Sequence, residues 1–414
     1  MTNGASLPTI GLVLSGGGAR GAYEAGVLAG IAELLDTKKR TGALFDVITG
    51  TSVGALNAVL LAAYADRPAL GVAHLVDRWT SLRLEKHLRP RLRSLVGRSL
   101  AARRPSVAEG IEGEPSWGRA LLDARPFEVM AHRDVPWIRV HENIRRGNLS
   151  ALIVSALNVA NGRTVSFAEL APGVEYVPSP NPTRASVVQQ IQPAHVLASA
   201  AIPMLFPARR VGESYFCDGG IRFNTPMSPA IRVGADRLLV IALRSRHPGR
   251  TEQQVLEAYP NPIFLLGKVL DALLLDPVEY DLQVLERFNR MLEVLSDTAP
   301  PAALARVAEV LKADRGVPHR RIETLVFRPS VDIGVLALEH FKRRRTSLCS
   351  GTATTLLLEN AAALGAHIQA DFLSYIYFDE AFARALIAQG RRDVMDRAAE
   401  VDAFFRSVDV RDLP

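Results

Sequence analysis

Cysteine and long apolar runs are both scarce in this chain of 414 residues. Cys217 and Cys349 are its two cysteines and no CxxC pair is present, so neither a disulfide framework nor a cysteine zinc site is expected. No stretch approaches the roughly 18 consecutive apolar residues of a membrane-spanning helix. Residues 1–8 lack the basic start and apolar run of a signal peptide. We therefore expect a cytoplasmic protein without signal peptide or transmembrane helix, whose membrane contact, if any, is peripheral.

Lysine is scarce as well, since six of the 49 basic residues are lysine, and the formal net charge is +6. The segment from Arg78 to Arg104 holds nine basic residues and one acidic residue, interleaved with leucines. One interpretation is peripheral contact with an anionic membrane, and the other is a solvated helix pair whose leucines cover a sheet face. Trp79 is the one aromatic ring in this segment, which argues against a nucleic-acid site, because single-stranded bases stack on aromatic side chains.

Strand and helix patterns alternate over the first 65 residues. Apolar runs at 10–15 and 45–49 predict buried strands, and helical apolar spacing follows each of them, at 23–35 and 53–65. Short connections between such elements indicate a parallel sheet covered by helices on both faces. Further along, Asn161-Gly162 predicts a two-residue type I′ hairpin turn.

A GxSxG pattern lies at Gly50-Thr51-Ser52-Val53-Gly54, between a predicted strand and a predicted helix. The glycines permit the strained turn that lifts the hydroxyl of a nucleophilic serine above the sheet edge. The N-terminus of the following helix directs free N–H groups towards developing negative charge. Such a pattern also arises by chance in a long chain, so it makes Ser52 a candidate nucleophile and no more.

A glycine-rich loop, Gly16-Gly17-Gly18-Ala19-Arg20-Gly21, joins the first strand to the first helix. Several backbone N–H groups packed around one point favour an oxyanion hole. The pattern also satisfies GxGxxG, but the next acidic residue at suitable spacing, Asp36, ends a helix and not a second strand. A dinucleotide site is therefore disfavoured, and the Lys and Ser/Thr of a phosphate-binding Walker loop are absent.

A third pattern, Asp218-Gly219-Gly220, follows a short predicted strand. In isolation it indicates a turn, for which aspartate and glycine are common residues. A serine hydrolase nevertheless needs a base, and the chain order Ser-Asp-His leaves a triad open as an alternative. The histidines that would complete it are His247, His319, His340 and His367, of which His247 fits best because it follows a predicted strand.

Taken together and in this order, the three patterns resemble the patatin-like phospholipase family. The segment Ser199 to Phe206 looks like a fourth block of that family, and the resemblance extends over residues 9 to about 365. It implies a three-layer α/β/α domain with a mostly parallel central sheet. It also implies hydrolysis of an acyl ester of a phospholipid or lysophospholipid, through an acyl-enzyme intermediate and without metal or cofactor.

The resemblance further assigns roles to residues of this chain. Ser52 and Asp218 would form a catalytic dyad, with the pKa of the carboxyl raised by partial burial so that it can act as a base. The remaining site residues would provide the oxyanion hole (Gly16, Gly17, Gly18 and Ala19) or support the loops (Arg20, Gly50, Gly54, Gly219 and Gly220). Whether Arg20 is structural or touches substrate is left open by the sequence.

Two helical regions have no counterpart in the family pattern. We predict a catalytic domain over residues 1–365, with a helical insertion at about 250–316, and a helical C-terminal extension over 366–414. Two alternatives to a lipid hydrolase use the same residues: an acyltransferase or thioesterase acting through the same dyad, and a catalytically idle lipid-binding scaffold. The intact serine pattern argues against the scaffold, because an idle site needs no serine on a strained turn.

Overall fold

The computed structural model describes residues 8–37, 42–82, 89–90, 122–123, 125–203, 205–223, 226–245, 268–269, 272, 276–317, 320–345 and 370–406. Several sequence predictions fall outside these ranges. They are most of the basic segment Arg78 to Arg104, the first part of the predicted insertion, and three of the four histidines considered for a triad, His247, His319 and His367.

The strands build a mixed sheet in which the central neighbours run parallel. The strands are β1 (Ile10–Leu14), β2 (Val47–Thr51), β3 (Arg89–Pro90), β4 (Leu122–Asp123), β5 (Ala151–Asn158), β6 (Thr164–Leu170), β7 (Arg184–Val188), β8 (Arg209–Val211), β9 (Ser214–Asp218), β10 (Arg237–Ile241) and β11 (Glu323–Phe327). The main sheet has the order β11-β10-β1-β2-β5-β6-β7, parallel from β11 to β5, and β6 and β9 are both antiparallel to β5. The predicted, mostly parallel sheet is confirmed.

Helices follow most of the strands. After a 3₁₀ turn at Gly18–Gly21, they are α1 (Ala22–Leu34), α2 (Val53–Ala63), α3 (Pro68–Ser81), α4 (Arg125–Arg133), α5 (Trp137–Arg145), α6 (Pro193–Ser199), α7 (Gly220–Phe223), α8 (Met227–Arg232), α9 (Asp276–Thr298), α10 (Pro301–Arg315), α11 (Ile333–Arg345), α12 (Ala370–Ile376), α13 (Glu380–Met395) and α14 (Ala398–Arg406). Among the described residues, none of these helices combines the length and the apolar character needed to cross a bilayer.

The sheet separates two apolar layers, as the alternation of side chains along a strand requires. On one face, Leu12 and Leu14 of β1 pack into the larger core with the buried faces of α1, α2 and α3. On the other face, Val13 packs into a smaller core that includes Ala230 of α8 and Leu282 of α9. Helices therefore cover both faces of the sheet, which confirms the three-layer α/β/α architecture.

The C-terminal helix α13 packs against α1 at an unusually close backbone approach. A Cβ atom built on Gly26 of α1 would lie 2.3 Å from the carbonyl oxygen of Ile387, and one built on Gly390 would lie 2.6 Å from the carbonyl oxygen of Tyr23. The Tyr23 hydroxyl also donates to Asp393 at 2.8 Å. Glycine at the contact lets the two helices meet backbone to backbone, so the C-terminal helices complete the core of the domain.

The predicted type I′ turn at Asn161-Gly162 was wrong. That turn needs positive φ at both central residues, whereas Gly162 has φ +67° and Asn161 is not in the positive region. The strands β5 and β6 are joined by five residues instead, since Asn158 accepts N–H groups of Ala160 and Asn161 at 3.0 and 3.3 Å and turns the chain first.

The described part of the predicted insertion is helical. Helix α9 lies against the β11 edge, where the Asn289 side chain exchanges hydrogen bonds of 2.7 and 3.1 Å with the backbone of Ile322. We propose the division into a domain of residues 1–365, with this insertion, and an extension of 366–414. The close packing of α13 on α1 indicates that such an extension folds together with the rest.

Candidate active site

Strands β2 and β9 approach each other end to end along one edge of β5. Strand β2 runs parallel to β5, with Thr51 paired to Ser155, while β9 runs antiparallel to it, with Asp218 paired to Ala156. Strand β6 occupies the opposite edge of β5 over this stretch. Because the two pairing positions on β5 are adjacent, the carboxyl ends of β2 and β9 meet, and the residue after β2, Ser52, faces Asp218.

Ser52 sits in a strained turn between β2 and α2. Its φ is 54° and its ψ is −124°, a region that side-chain-bearing residues rarely adopt. The flanking glycines allow the turn, since a Cβ atom on Gly50 would lie 2.3 Å from the carbonyl oxygen of Gly54, and one on Gly54 would lie 2.5 Å from that of Leu14. The local sequence therefore builds the elbow that the GxSxG pattern predicted.

The Ser52 hydroxyl donates a hydrogen bond to Asp218. The Oγ–Oδ2 distance is 2.6 Å, and the other carboxylate oxygen, Oδ1, accepts the N–H of Gly220 at 2.7 Å. Ser52 is 3% exposed and Asp218 is fully buried. The two carboxylate oxygens are thus divided between the serine and the glycine turn, which fixes the orientation of the carboxyl group.

Burial raises the pKa of Asp218 above its ordinary value, to about 7. Loss of solvation is the largest cause, and the hydrogen bonds from Ser52 and Gly220 lower the pKa in part. The direction of this shift agrees with the raised pKa that the sequence led us to expect. A carboxylate with a pKa near neutrality is a far better base for a hydroxyl group than an ordinary aspartate, whose pKa is about 3.9.

The last residue of α6 and the segment that follows it contact both Ser52 and Asp218. The Ser199 hydroxyl donates to the carbonyl of Ser155 at 2.6 Å and accepts the N–H of Ser52 at 2.9 Å. Two residues later, the carbonyl of Ala201 accepts the N–H of Asp218 at 2.9 Å. Ser199 is a positioning residue that the motif analysis missed, although the segment from Ser199 to Phe206 had been recognised as a family block.

The glycine loop begins directly after β1 and continues into the 3₁₀ turn. Gly18 has φ +58°, and a Cβ atom at this position would lie 2.2 Å from the carbonyl oxygen of Tyr375 on α12. Arg20 is 4% exposed, donates to the Ser374 hydroxyl at 2.7 Å and lies 4.3 Å from the centre of the Tyr375 ring. Arg20 therefore ties the loop to the C-terminal helices, a contact that sequence patterns give no sign of.

Residues 12–231 match the family model described as patatin-like phospholipase. This match spans just over half of the chain. The chain belongs to the patatin-like phospholipase family. All three sequence patterns, the glycine loop, the Ser52 elbow and the Asp218 turn, lie within the matched residues.

A second similarity is to a cGAMP-activated phospholipase from Pseudomonas aeruginosa. It is 29% identical to this patatin-like protein over 217 residues, which are 52% of this chain and 53% of the relative. The chain thus spans about half the length of this curated relative. Among solved structures, VipD from Legionella pneumophila matches 92% of this chain and 67% of its own, with 14% identity and a TM-score of 0.29. A TM-score this low supports no argument about fold or function.

Four of the five histidines that the structure describes have partners away from the Ser52–Asp218 pair. His141 lies 2.8 Å from Glu169, His195 contacts Gln189 at 2.5 Å, and His74 stacks on Tyr64. Of the triad candidates, the structure describes His340, whose ring lies 6.1 Å from that of Phe382. Within the described ranges, therefore, the protein partners of the Asp218 carboxylate are Ser52 and Gly220.

An apolar cavity opens at Ser52. It is lined by Gly18 of the loop, by Val53 and Leu56 of α2, and by the aromatic rings of Phe127 and Phe378. In the part of the chain that the structure describes, no group of three or more His, Cys, Asp or Glu side chains is arranged to hold a metal ion. The metal-free, cofactor-free site stays a prediction.

Proposed function

We propose that this protein is a lipid acyl-hydrolase that uses Ser52 as nucleophile and Asp218 as its base. The observation that carries the proposal is the 2.6 Å hydrogen bond between the Ser52 hydroxyl and Asp218 at the end of an apolar cavity. Membership of the patatin-like phospholipase family and the resemblance to a relative named as a phospholipase support a lipid ester as the substrate.

In the first step, Ser52 Oγ attacks the carbonyl carbon of the ester while its proton passes to the Asp218 carboxylate. The resulting tetrahedral intermediate carries one negative charge on the former carbonyl oxygen. When the ester C–O bond breaks, the leaving alkoxide takes the proton from Asp218, and an acyl-Ser52 enzyme remains. Because the pKa of Asp218 is about 7, the same carboxyl group can accept and return a proton near neutral pH.

In the second step, water attacks the acyl-enzyme. Asp218 accepts a proton from this water, and a second tetrahedral intermediate forms. Its collapse breaks the bond between the acyl carbon and Ser52 Oγ, the proton returns to Oγ, and the fatty acid is released. Asp218, which is hydrogen-bonded to Ser52, accepts or returns the proton in each of these transfers, so a third side chain is not needed.

We propose the backbone amides of Gly16, Gly17, Gly18 and Ala19 as the oxyanion hole. The loop follows the C-terminal end of β1, the strand that pairs with β2. Gly18 of this loop lines the cavity next to Ser52. A donor that meets the developing charge is worth about 3 kcal/mol in comparable enzymes. Arg20 would act through the loop, since it is buried against Ser374 and Tyr375 and holds the loop in place.

The direct test is active-site labelling followed by product analysis. A fluorophosphonate probe is expected to label Ser52, located by mass spectrometry, and a panel of phospholipids, lysophospholipids and acyl thioesters should identify the substrate class. Release of free fatty acid supports a hydrolase, whereas transfer of the acyl group to an added lysolipid or alcohol would favour the acyltransferase alternative. Absence of Ser52 labelling and of turnover on every ester would contradict the proposal and favour a lipid-binding scaffold.

The pH dependence of activity follows from the raised pKa of Asp218. Only the carboxylate form can accept the Ser52 proton, so kcat/KM is expected to rise about tenfold per pH unit below 7 and to level off above it. The measurement is kcat/KM between pH 5 and 9 on a soluble short-chain ester, which avoids pH effects on lipid aggregates. A profile that is flat across this range, or that falls through pH 7, would contradict Asp218 as the base.

We also propose peripheral contact with anionic membrane through the segment Arg78 to Arg104. Each basic residue near an anionic surface contributes roughly 1 kcal/mol, so charge reversal at Arg91 and Arg93 is expected to lower the partition coefficient onto phosphatidylglycerol vesicles, measured by co-sedimentation, at least about 30-fold. Added salt should weaken it too. The matched control is charge reversal at Lys342 and Arg343 of α11. Vesicle binding that is unchanged both by added salt and by charge reversal at Arg91 and Arg93 would contradict this proposal.

A further inference from the structure

An open cavity of about 560 Å³ lies between the described part of the predicted insertion and the β7 edge of the domain. Its walls come from α8, α9, the end of α10 and the segment that leads into β7. Cavities of roughly 300 to 1,000 Å³ are the usual size for small organic ligands. This cavity has no lining residue in common with the one that opens at Ser52, so the proposed hydrolysis leaves it without a role.

Three arginine side chains line this cavity from three different elements. They are Arg184 at the start of β7, Arg232 at the end of α8 and Arg315 at the end of α10. Burial lowers the pKa of Arg232, and the positive charges of Arg315 and Arg184 lower it further against an opposing effect of Tyr176. Burial also lowers the pKa of Arg315, with a further contribution from Arg184. The three guanidinium groups therefore repel one another, and an anion between them would relieve that repulsion.

Arg232 is the fixed, buried member of this group. Its residue is 6% exposed. Its N–H groups donate to uncharged oxygens at 2.9 to 3.3 Å, which are the carbonyl groups of Val177, Pro178 and Arg315 and the hydroxyl group of Ser228. In the part of the chain that the structure describes, these oxygens and no carboxylate are its hydrogen-bond acceptors. The wall of the cavity thus holds a positive charge in a defined position.

Arg184 brings unused donors to the same cavity. Its guanidinium carbon lies 4.3 Å from the centre of the Phe223 ring, so one flat face of the group rests on an aromatic surface. Among the described residues, this guanidinium group has no hydrogen-bond acceptor. Stacking leaves the N–H groups in the guanidinium plane accessible, which is the arrangement that binds phosphate or carboxylate oxygens in pairs.

The remaining lining residues are acidic or apolar. Asp281 of α9 and Asp314 of α10 border the cavity, so three arginines face two aspartates and leave a positive excess. Burial raises the pKa of Asp281, and the positive charge of Arg184 lowers it in part. The apolar part of the wall consists of Met227, Ile231, Val284, Leu285 and Phe288. A ligand that fits this lining combines an anionic group with an apolar part.

We propose that this cavity binds a small organic molecule that ends in a phosphate monoester, with the phosphate at Arg184 and Arg315 and the organic part against α9. A phosphate monoester carries nearly two negative charges near neutral pH and offers three acceptor oxygens. These oxygens suit guanidinium groups that arrive from different directions, whereas the two oxygens of a carboxylate lie in one plane. The predicted insertion thereby gains a role, because α9 and α10 build one side of the site.

The test is isothermal titration calorimetry of the whole protein with phenyl phosphate in a phosphate-free buffer. We expect Arg184→Met to weaken the affinity at least about tenfold, because it removes charge-assisted hydrogen bonds and keeps an apolar contact with Phe223. Asp281→Asn removes a negative charge from the wall and should strengthen the affinity by about threefold or more. The control is Arg287→Met, which removes an exposed arginine from α9 and should leave the affinity unchanged.

Absence of phenyl phosphate binding to the unaltered protein would overturn the proposal. An unchanged affinity in an Arg184→Met protein with an unchanged melting curve would overturn it as well. Where Arg184→Met fails to fold, Arg315→Met replaces it, and the same loss of affinity is expected. Phenyl phosphate binding that persists in full in Arg315→Met would then contradict the site.

Further titrations distinguish the phosphate monoester from other sources of negative charge. Benzoate carries a carboxylate on the same ring, and binding as tight as that of phenyl phosphate would contradict a phosphate site. Glycerophosphocholine is the soluble head group of a phospholipid, and tighter binding of this diester would assign the cavity to a lipid head group instead. Ser52→Ala should bind phenyl phosphate like the unaltered protein, and a loss there would place the phosphate at the dyad. Because binding alone is measured, a failure of ester hydrolysis would leave this proposal standing.

Discussion

Replacing Ser52 by alanine, or Asp218 by asparagine, is expected to lower kcat/KM for lipid ester hydrolysis by about 10⁴-fold or more. Ser52→Ala removes the attacking oxygen, and Asp218→Asn removes the base that accepts its proton at 2.6 Å. Because the two groups act as one unit, the double variant should be no worse than the more impaired single variant. Full activity in a cleanly purified Asp218→Asn protein would contradict the dyad.

The pH dependence of the melting temperature distinguishes a catalytic role of the Asp218 carboxylate from a structural one. Burial raises the pKa of Asp218 to about 7 in the folded protein, against about 3.9 in an unfolded chain. Below pH 4 the carboxyl is protonated in both states and costs nothing, and between pH 4 and 7 the folded state loses stability because it resists ionisation. Asp218→Asn escapes this loss, so its melting temperature should exceed that of the wild type at pH 8 and approach it at pH 4.

The matched control is Glu213→Gln, which removes a carboxylate from the exposed turn between β8 and β9. It should leave both activity and the pH dependence of melting unchanged. If Asp218→Asn is less stable than the wild type at pH 8, the carboxylate holds the fold together and its proposed role as a strained base is contradicted. The comparison thus tests the site without relying on turnover alone.

Much of the fold could be predicted because its signals are local. The strand before Ser52, the helix after it and the glycines on either side occupy a few consecutive residues, so periodicity and turn chemistry sufficed. At Asn161-Gly162 the β5–β6 hairpin is present, but its turn type was predicted wrongly for the same reason. There the pattern is local, but Asn158 and the pairing of the Val159 N–H with Tyr215 on β9 decide the turn.

The hydrogen bond between Ser52 and Asp218 could not be derived from sequence patterns alone. Asp218 in its glycine turn reads as an ordinary turn former, and a triad with a distant histidine stayed open. What brings the two together is the pairing of both β2 and β9 with one edge of β5, at Ser155 and Ala156. This is a contact between residues 166 positions apart, and family resemblance pointed to it where spacing could not.

The contacts of the C-terminal helices with the glycine loop could not be predicted from the sequence either. Arg20 and Ser374 are 354 positions apart, yet they form one buried hydrogen bond of 2.7 Å. The sequence predicted only a helical extension over 366–414. In the structure, α12 provides the carbonyl of Tyr375 that lies against Gly18, so a region without a counterpart in the family pattern shapes the loop that we propose as the oxyanion hole.

Gly18→Ala is the prediction that tests this link. A Cβ atom at Gly18 would lie 2.2 Å from the carbonyl oxygen of Tyr375 and 3.2 Å from its Cα. Backbone atoms cannot rotate away as a side chain can, so either the glycine loop or α12 must shift. A shift of the loop would displace the amides that we propose as the oxyanion hole, and the loss of one such donor lowers kcat by about 10²- to 10³-fold.

Gly212→Ala separates the clash from backbone strain. Gly212 has φ +59°, almost the same as the +58° of Gly18, but it lies in a turn with nothing within 4 Å of the added Cβ. Both substitutions therefore incur the same cost of about 1 kcal/mol for a left-handed residue, and only Gly18→Ala meets α12. We expect Gly212→Ala to lower the melting temperature slightly with kcat/KM unchanged, and Gly18→Ala to lose activity on short and long esters alike. If the two variants behave the same in both assays, α12 does not position the loop, and the oxyanion hole would have to be sought in other donors around Ser52.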